Sequence, residues 1–260
     1  MTVRKGTALI TGASMGLGRE FARLFAADGI DVVLVARSEG KLRELAAELE
    51  KAHGIRAHVV ADDLTDPAAP ERIFQSVKRA GVELEYLVNN AGFGSHGRFD
   101  QLDAKRELEM VQVNIAALVH LTRLFLPELV SRGHGRVMNI ASTAGFQPGP
   151  LMATYYATKA FVISFTEAIA YELRHTGVTV TAHCPGATAT EFARTASNDT
   201  SMLFRLGAAD APAVARHAYR AMQRGQVLAI HGIVNWLLVQ SVRFSPRALV
   251  RATVAWVNSK

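Results

Sequence analysis

The feature that most constrains this chain is a succession of short, apolar, largely β-branched runs, each followed by a stretch with helical spacing. "TALIT" (7–11), "DVVLVAR" (31–37), "RAHVVAD" (56–62), "LEYLVNNA" (84–91), "GRVMNIAS" (135–142) and "VTVTAHCPG" (178–186) read as strands. Between them lie "GREFARLFAADG", "EGKLRELAAELEKAHG", "PERIFQSVKRAG", a long helix from about Asp103 to Arg132, and a helix around Tyr155 and Tyr156. "APAVARHAYRAMQRG" and "QVLAIHG" add a last helix and strand. Strands with so little apolar–polar alternation must be buried on both faces, which parallel strands joined by helical crossovers achieve. The expectation is α/β: a single doubly wound domain over residues 1–260, with a parallel sheet flanked by helices on both faces. In such sheets ligands bind beyond the carboxyl ends of the strands.

Charge and cysteine content narrow the classes. The single cysteine, Cys184, lies inside an apolar run, so a disulfide framework is excluded and a reducing, cytoplasmic setting is expected. The N-terminal apolar run is four residues, too short for a signal-peptide core, and no segment has the uninterrupted apolar length of a membrane span. The net charge of +6 is uneven. Residues 1–190 balance 20 basic against 20 acidic side chains; residues 191–260 carry 9 basic and 3 acidic, with no carboxylate after Asp210.

The first strand runs into "TGASMGLG", with Gly12, Gly16 and Gly18. A strand, a glycine turn and a helix start together favour a pyrophosphate, because the backbone approaches closely and the helix N-terminus presents free N–H groups. The spacing is G-x-x-x-G-x-G, not the generic dinucleotide fingerprint. At the end of the second strand, where an acid would bind the ribose hydroxyls of NAD, this chain has Arg37, with Lys41 close by. A guanidinium suits a 2′-phosphate, so NADP(H) is expected over NAD(H).

"TYYATKAF" (154–161) holds two tyrosines ahead of Lys159. Residues four apart on a helix lie about 40° round from each other and residues three apart about 60°, so either Tyr155 or Tyr156 can face the lysine. Spacing leaves the choice open.

These segments together resemble the short-chain dehydrogenase/reductase family over roughly residues 5–190. "TGASMGLG" resembles its T-G-x-x-x-G-x-G turn, and "NNAG" (89–92) its fourth-strand motif. "DDLTD", "VQVN", "IAS", "YYATK" and "CPGATAT" follow in the family's order. The resemblance implies a Rossmann-type fold and a tetrad of Asn114, Ser142, Tyr155 and Lys159, since the family places its tyrosine four residues before the lysine. It implies that Gly12, Ser14, Gly16, Leu17 and Gly18 cradle the cofactor and that Asp63 and Leu64 contact its adenine. Asn90, Ala91, Gly92, Pro185, Gly186, Thr188 and Thr190 would line it further along, with Tyr155 and Lys159 at its nicotinamide end. Tyr155 would be the general acid, its pKa lowered by the neighbouring ammonium, and Asn114 would hold a water in a proton relay. A homodimer or homotetramer is likewise implied.

Substrate choice falls to loops that match nothing diagnostic. Phe93, Ser142, Phe146, Met152 and Phe192 are the candidates, pointing to an apolar carbonyl compound or alcohol. His96 reads as a solvated loop histidine, and 191–207 as a lid. The tail, 233–260, reads as a basic amphipathic extension with an apolar face at Val250, Val254 and Val257 and with Arg247, Arg251 and Asn258 elsewhere. It packs on its own domain or touches a membrane surface; nucleic-acid binding is not expected. The reading is an NADP(H)-dependent carbonyl reductase. Its rivals are a cofactor sensor without turnover and a membrane-peripheral lipid or acyl reductase.

Overall fold

The computed structural model describes residues 6–189 and 208–259. Seven parallel strands form one sheet: β1 (Thr7–Thr11), β2 (Asp31–Ala36), β3 (Ala57–Ala61), β4 (Tyr86–Asn89), β5 (Gly135–Ile140), β6 (Val178–Cys184) and β7 (Leu228–Ile230). Their spatial order is β3-β2-β1-β4-β5-β6-β7, so the winding reverses between β1 and β4. That reversal opens a crevice at the carboxyl ends.

Apolar residues two apart on each strand feed opposite layers. Ala8 and Ile10 of β1 and Val32 and Leu34 of β2 pack under α1 (Gly16–Ala27), α2 (Glu39–His53) and a late helix, Ala211–Gln223. Leu9, Val33 and Val35 face the other way, onto α3 (Ala69–Arg79) and the long helix that follows β4. This two-sided burial is why the strands do not alternate in sequence.

The long helix is expected as one piece from about Asp103. It is α4 (Ala104–Val111), a π-helical turn (Gln112–Ala117) and α5 (Leu118–Arg132). Among the described residues this is the one helical stretch long and apolar enough to cross a membrane, but Leu121, Phe125 and Leu129 are buried against the sheet layer. The widened turn falls around Asn114, in keeping with the association of π-bulges with functional sites. α6 (Ala153–Glu172) follows β5. After α7 (Ala211–Gln223) and β7, the tail forms two helices rather than one extension: α8 (Ile233–Phe244) and α9 (Arg247–Asn258), broken at Ser245-Pro246. A proline at 246 has no N–H to continue α8 and restricts the residue before it.

A buried polar ladder ties the sheet to this layer. Asn89 and Asn139 are register partners on β4 and β5. Asn89 Nδ2 donates to Asn139 Oδ1 (2.9 Å) and to Thr122 Oγ1 on α5 (3.0 Å); Asn139 Nδ2 donates to Thr166 Oγ1 on α6 (2.9 Å). Each threonine passes its own proton to the carbonyl four residues back, Leu118 and Val162. Removing one member leaves its neighbours buried without partners. Asn139→Ala should therefore cost about 2–3 kcal/mol, read as a lower midpoint in urea unfolding, whereas a surface Asn→Ala change should be nearly neutral.

Candidate active site

The glycine turn is built for a close anionic approach. Gly12 and Gly16 have positive φ values of 67° and 53°, and a Cβ on Gly12 would stand 2.9 Å from Asn90 Nδ2. Met15 caps α1 without any side-chain hydrogen bond, and the first turn holds no acid. Its N–H groups are thus left for an outside acceptor. Asn90 fixes the turn by donating Nδ2 to Thr11 O (2.8 Å), while Thr11 Oγ1 accepts from the Asn90 and Ala91 N–H groups (3.0 Å each). These features fit a dinucleotide phosphate. Gly18 contributes differently from the expectation: a Cβ there would lie 2.2 Å from Gly12 O, so it allows α1 to pack on the turn and does not line the cavity.

One cavity of about 700 Å³ runs from this turn past Ser142, Tyr155 and Lys159 to the helices of the tail. Ser14, Gly16, Leu17, Arg37, Asp63, Leu64, Asn90, Ala91 and Gly92 line one end; Ser142, Tyr155, Lys159, Pro185, Gly186 and Thr188 line the middle. Arg37 stands at the end of β2, largely exposed, with its guanidinium 3.9 Å from Asp63. Lys41 is exposed on α2 and is not part of the wall. Thr190, Phe192 and the expected lid 191–207 lie outside the described residues.

The two tyrosines separate cleanly. Tyr155 is buried and hydrogen-bonded with Ser142, at the mouth of β5. Tyr156 donates its hydroxyl to Asn258 Oδ1 (3.2 Å), and its ring lies where a Cβ on Gly149 would be 2.1 Å away. Ser142 Oγ accepts from Ala144 N (3.1 Å) and faces Pro185 O at 3.4 Å, which orients the hydroxyl between β5 and β6. Lys159, one helical turn on from Tyr155, donates Nζ to Ile140 O at 2.7 Å and sits 5.7 Å from the Tyr155 ring centroid.

Burial sets the titration here. It pushes the Tyr155 phenol above its usual value, opposed by the Ser142 hydrogen bond. It pulls Lys159 down to about 8. The expected lowering of the tyrosine by the lysine is not seen in this arrangement, where Nζ is turned to the Ile140 carbonyl and desolvation dominates. Burial likewise drives the Cys184 thiol up to about 12, in keeping with a small apolar filler.

Asn114 is held rather than free. Its Oδ1 accepts from Phe93 N (3.1 Å), and its Nδ2 donates to Phe93 O (3.0 Å) and Thr158 Oγ1 (3.1 Å). Both amide hydrogens are committed, so the side chain clamps the loop after β4 onto the π-helical turn. Phe93 and Met152 reach the cavity as expected; Phe146 does not, because it packs with Val119 and Phe165 on the cluster around Val162.

The wall beyond Tyr155 comes from the tail, which the linear sequence did not assign to the site. Asn235, Leu238, Val239 and Val242 of α8 and Leu249, Val250, Val254 and Val257 of α9 line it, with Gln147 opposite. The face Val250, Val254 and Val257 was the available signal. Gly186 permits this closeness, because a Cβ there would be 2.6 Å from Asn235 Nδ2. Asn258 is buried, not on a polar face: it accepts from Tyr156, donates to Pro150 O (3.0 Å), and its carbonyl binds His96 Nε2 at 2.7 Å. His96 is accordingly a pin for the chain end. Among the described residues no cluster of three His, Cys, Asp or Glu side chains is arranged to hold a metal.

A glycine turn, a buried tyrosine–serine–lysine group and one continuous cavity at a doubly wound sheet's carboxyl edge define a dinucleotide-dependent oxidoreductase site. The short chain dehydrogenase family model matches residues 6–201, and the chain belongs to the short-chain dehydrogenase/reductase family. Sulfoacetaldehyde reductase 2 of Chromohalobacter salexigens is 39% identical over 186 residues, covering 71% of this chain and 73% of that one. The chain spans only 53% to 61% of several longer curated reductases that it also matches. A Sphingobium yanoikuyae short-chain dehydrogenase solved with NADPH is 33% identical, with a TM-score of 0.83 over 92% of this chain and 94% of that one. A Burkholderia phymatum member solved with NAD is 25% identical, with a TM-score of 0.82 over 92% and 93%.

The buried lysine has a stability consequence of definite sign. Its folded pKa lies below the unfolded value, so between about pH 8 and 10.5 the unfolded chain holds the proton that the folded chain has lost. Stability rises with pH through that window, and the cost of burying the ammonium is fully present below it. Cofactor-free protein should gain about 1–3 kcal/mol between pH 7 and pH 9.5 relative to Lys159→Met, measured by urea unfolding at both pH values.

Proposed function

We propose that the protein is an NADP(H)-dependent oxidoreductase that interconverts a carbonyl and a secondary alcohol on an apolar substrate. The observation that carries this reading is the convergence of Ser142, Tyr155 and Lys159 in the cavity that begins at the glycine turn. The nicotinamide cofactor supplies or accepts the hydride. Gly12, Gly16, Leu17 and Asn90 would hold its phosphates and Lys159 its nicotinamide end.

The chain's own residues handle oxygen and proton. Ser142 Oγ donates to the substrate oxygen, where negative charge develops. Tyr155 Oη delivers the proton in reduction and takes it in oxidation; a phenol kept protonated by burial is a ready donor. Lys159, with a pKa of about 8, is matched to returning a proton to Tyr155 near neutral pH. The apolar wall from α8 and α9 supports an apolar substrate and excludes water from the reacting carbonyl.

NADP(H) preference rests on Arg37 at the end of β2, exposed and able to take a 2′-phosphate, with Met15 giving the turn no second cation. A complete Ser142–Tyr155–Lys159 group favours turnover over the sensor reading. Assembly as a homodimer or homotetramer and a cytoplasmic setting belong to the same proposal, the second on the strength of its buried thiol.

The test is oxidation of NADPH and NADH against ketones, aldehydes, steroids, quinones and 3-oxoacyl thioesters. Tyr155→Phe should lower kcat by roughly 10²–10⁴-fold with cofactor affinity preserved. Cofactor binding with no turnover on any class would favour the sensor. Arg37→Ala should raise the KM for NADPH by roughly 10–100-fold and leave that for NADH within a few-fold, the loss of a charge-assisted contact.

A further inference from the structure

Among the described residues, exposed large apolar side chains gather on the outer face of the tail. On α8, Ile233 (70% exposed), Leu237 and Phe244 (88% exposed) point outwards, flanked by Val234, Trp236 and Leu238. Leu249 and Trp256 are likewise exposed on α9. The opposite side of α8 is already used, because Asn235, Val239 and Val242 line the cavity. An interfacial helix shows this division: apolar and tryptophan side chains outwards, arginines at the margin.

Charge selects the occupant. Arg243, Arg247 and Arg251 are exposed around the patch, none forms an ion pair with a described residue, and the chain has no carboxylate after Asp210. A second copy seated here across a two-fold axis would set arginines against arginines with no acid in either patch to receive them. It would also cover Leu238 and Leu249, which line the cavity while standing 60% and 59% exposed at its rim. An anionic headgroup layer meets both demands, since it accepts the guanidinium groups and offers apolar chains to the rim.

We propose that the outward faces of α8 and α9 dock on an anionic lipid bilayer, so that the cavity opens towards membrane-dissolved substrate. The docking stands on the patch alone; the delivery of substrate rests on the reading of the cavity as a carbonyl site.

The experiment is flotation of the full chain with vesicles of phosphatidylcholine alone and of phosphatidylcholine with phosphatidylglycerol. The wild type should partition into the anionic vesicles at least about tenfold better, and high salt should reduce this. Leu237→Glu with Phe244→Glu should abolish partition to both. Arg243→Gln, Arg247→Gln and Arg251→Gln together should remove the preference, so that partition into the anionic and the neutral vesicles becomes equal. Circular dichroism and thermal midpoint establish that each variant is folded. NADPH oxidation of a water-soluble ketone without vesicles should be unchanged in them. If no variant and no wild type turns over, the reductase reading fails while the flotation result still stands. Absence of partition, or partition indifferent to lipid charge, overturns the docking. So does a wild-type dimer that the Leu237→Glu, Phe244→Glu variant converts to monomer, which assigns the patch to a second copy.

Discussion

The constraint behind the rest of the structure is that a parallel sheet buried on both faces sends all its strands out at the same edge. β1, β4, β5 and β6 are separated by scores of residues, yet they discharge their loops within one crevice because the winding reverses between β1 and β4. Gly12 follows the first of these strands, Asn90 the second, Ser142 the third and Pro185 the fourth. No local interaction could assemble them. Two apolar layers, one under α1, α2 and α7 and one under α3 and α5, hold the sheet that does.

Within that crevice, desolvation governs the chemistry. Tyr155 and Lys159 both lie among buried groups, and burial moves them in opposite senses, raising the acid and lowering the base. Two groups with similar pKa values in water become a phenol held protonated and a lysine whose pKa falls to about 8. The same burial costs stability below pH 8, and the polar ladder from Thr122 through Asn89 and Asn139 to Thr166 holds the neighbouring elements in register against it. Precision at the site is thus obtained from buried hydrogen bonds rather than from surface ion pairs, which in this chain sit on exposed flanks such as Arg43–Glu39.

Much of this was legible residue by residue. The strand cores of β1, β2 and β5 and the glycine turn follow from local pattern, because buried parallel strands and helix starts leave dense, short-range signals, whereas Ser142 was named by the family resemblance. Resemblance was needed to choose Tyr155 over Tyr156, since helical spacing alone admits both. Tertiary contact then distinguished them, with one hydroxyl on Ser142 and the other on Asn258. Phe146 was misplaced for the reverse reason: a loop phenylalanine packs wherever apolar partners stand, here with the cluster around Val162.

What the sequence by itself determined is the backbone plan and the glycine turn, with the family resemblance naming the residues of the centre. Apolar periodicity, glycine positions and the Tyr-x-x-x-Lys spacing are properties of neighbours along the chain. Only the tertiary structure decided the apolar wall of the cavity. The tail could be seen to be basic and amphipathic, but its partner lies a hundred residues away, where Asn258 meets Tyr156 and Pro150. A contact of that span leaves no period in the sequence. It also decided that α8 turns one face to the cavity and the other, apolar and unpaired, to the outside.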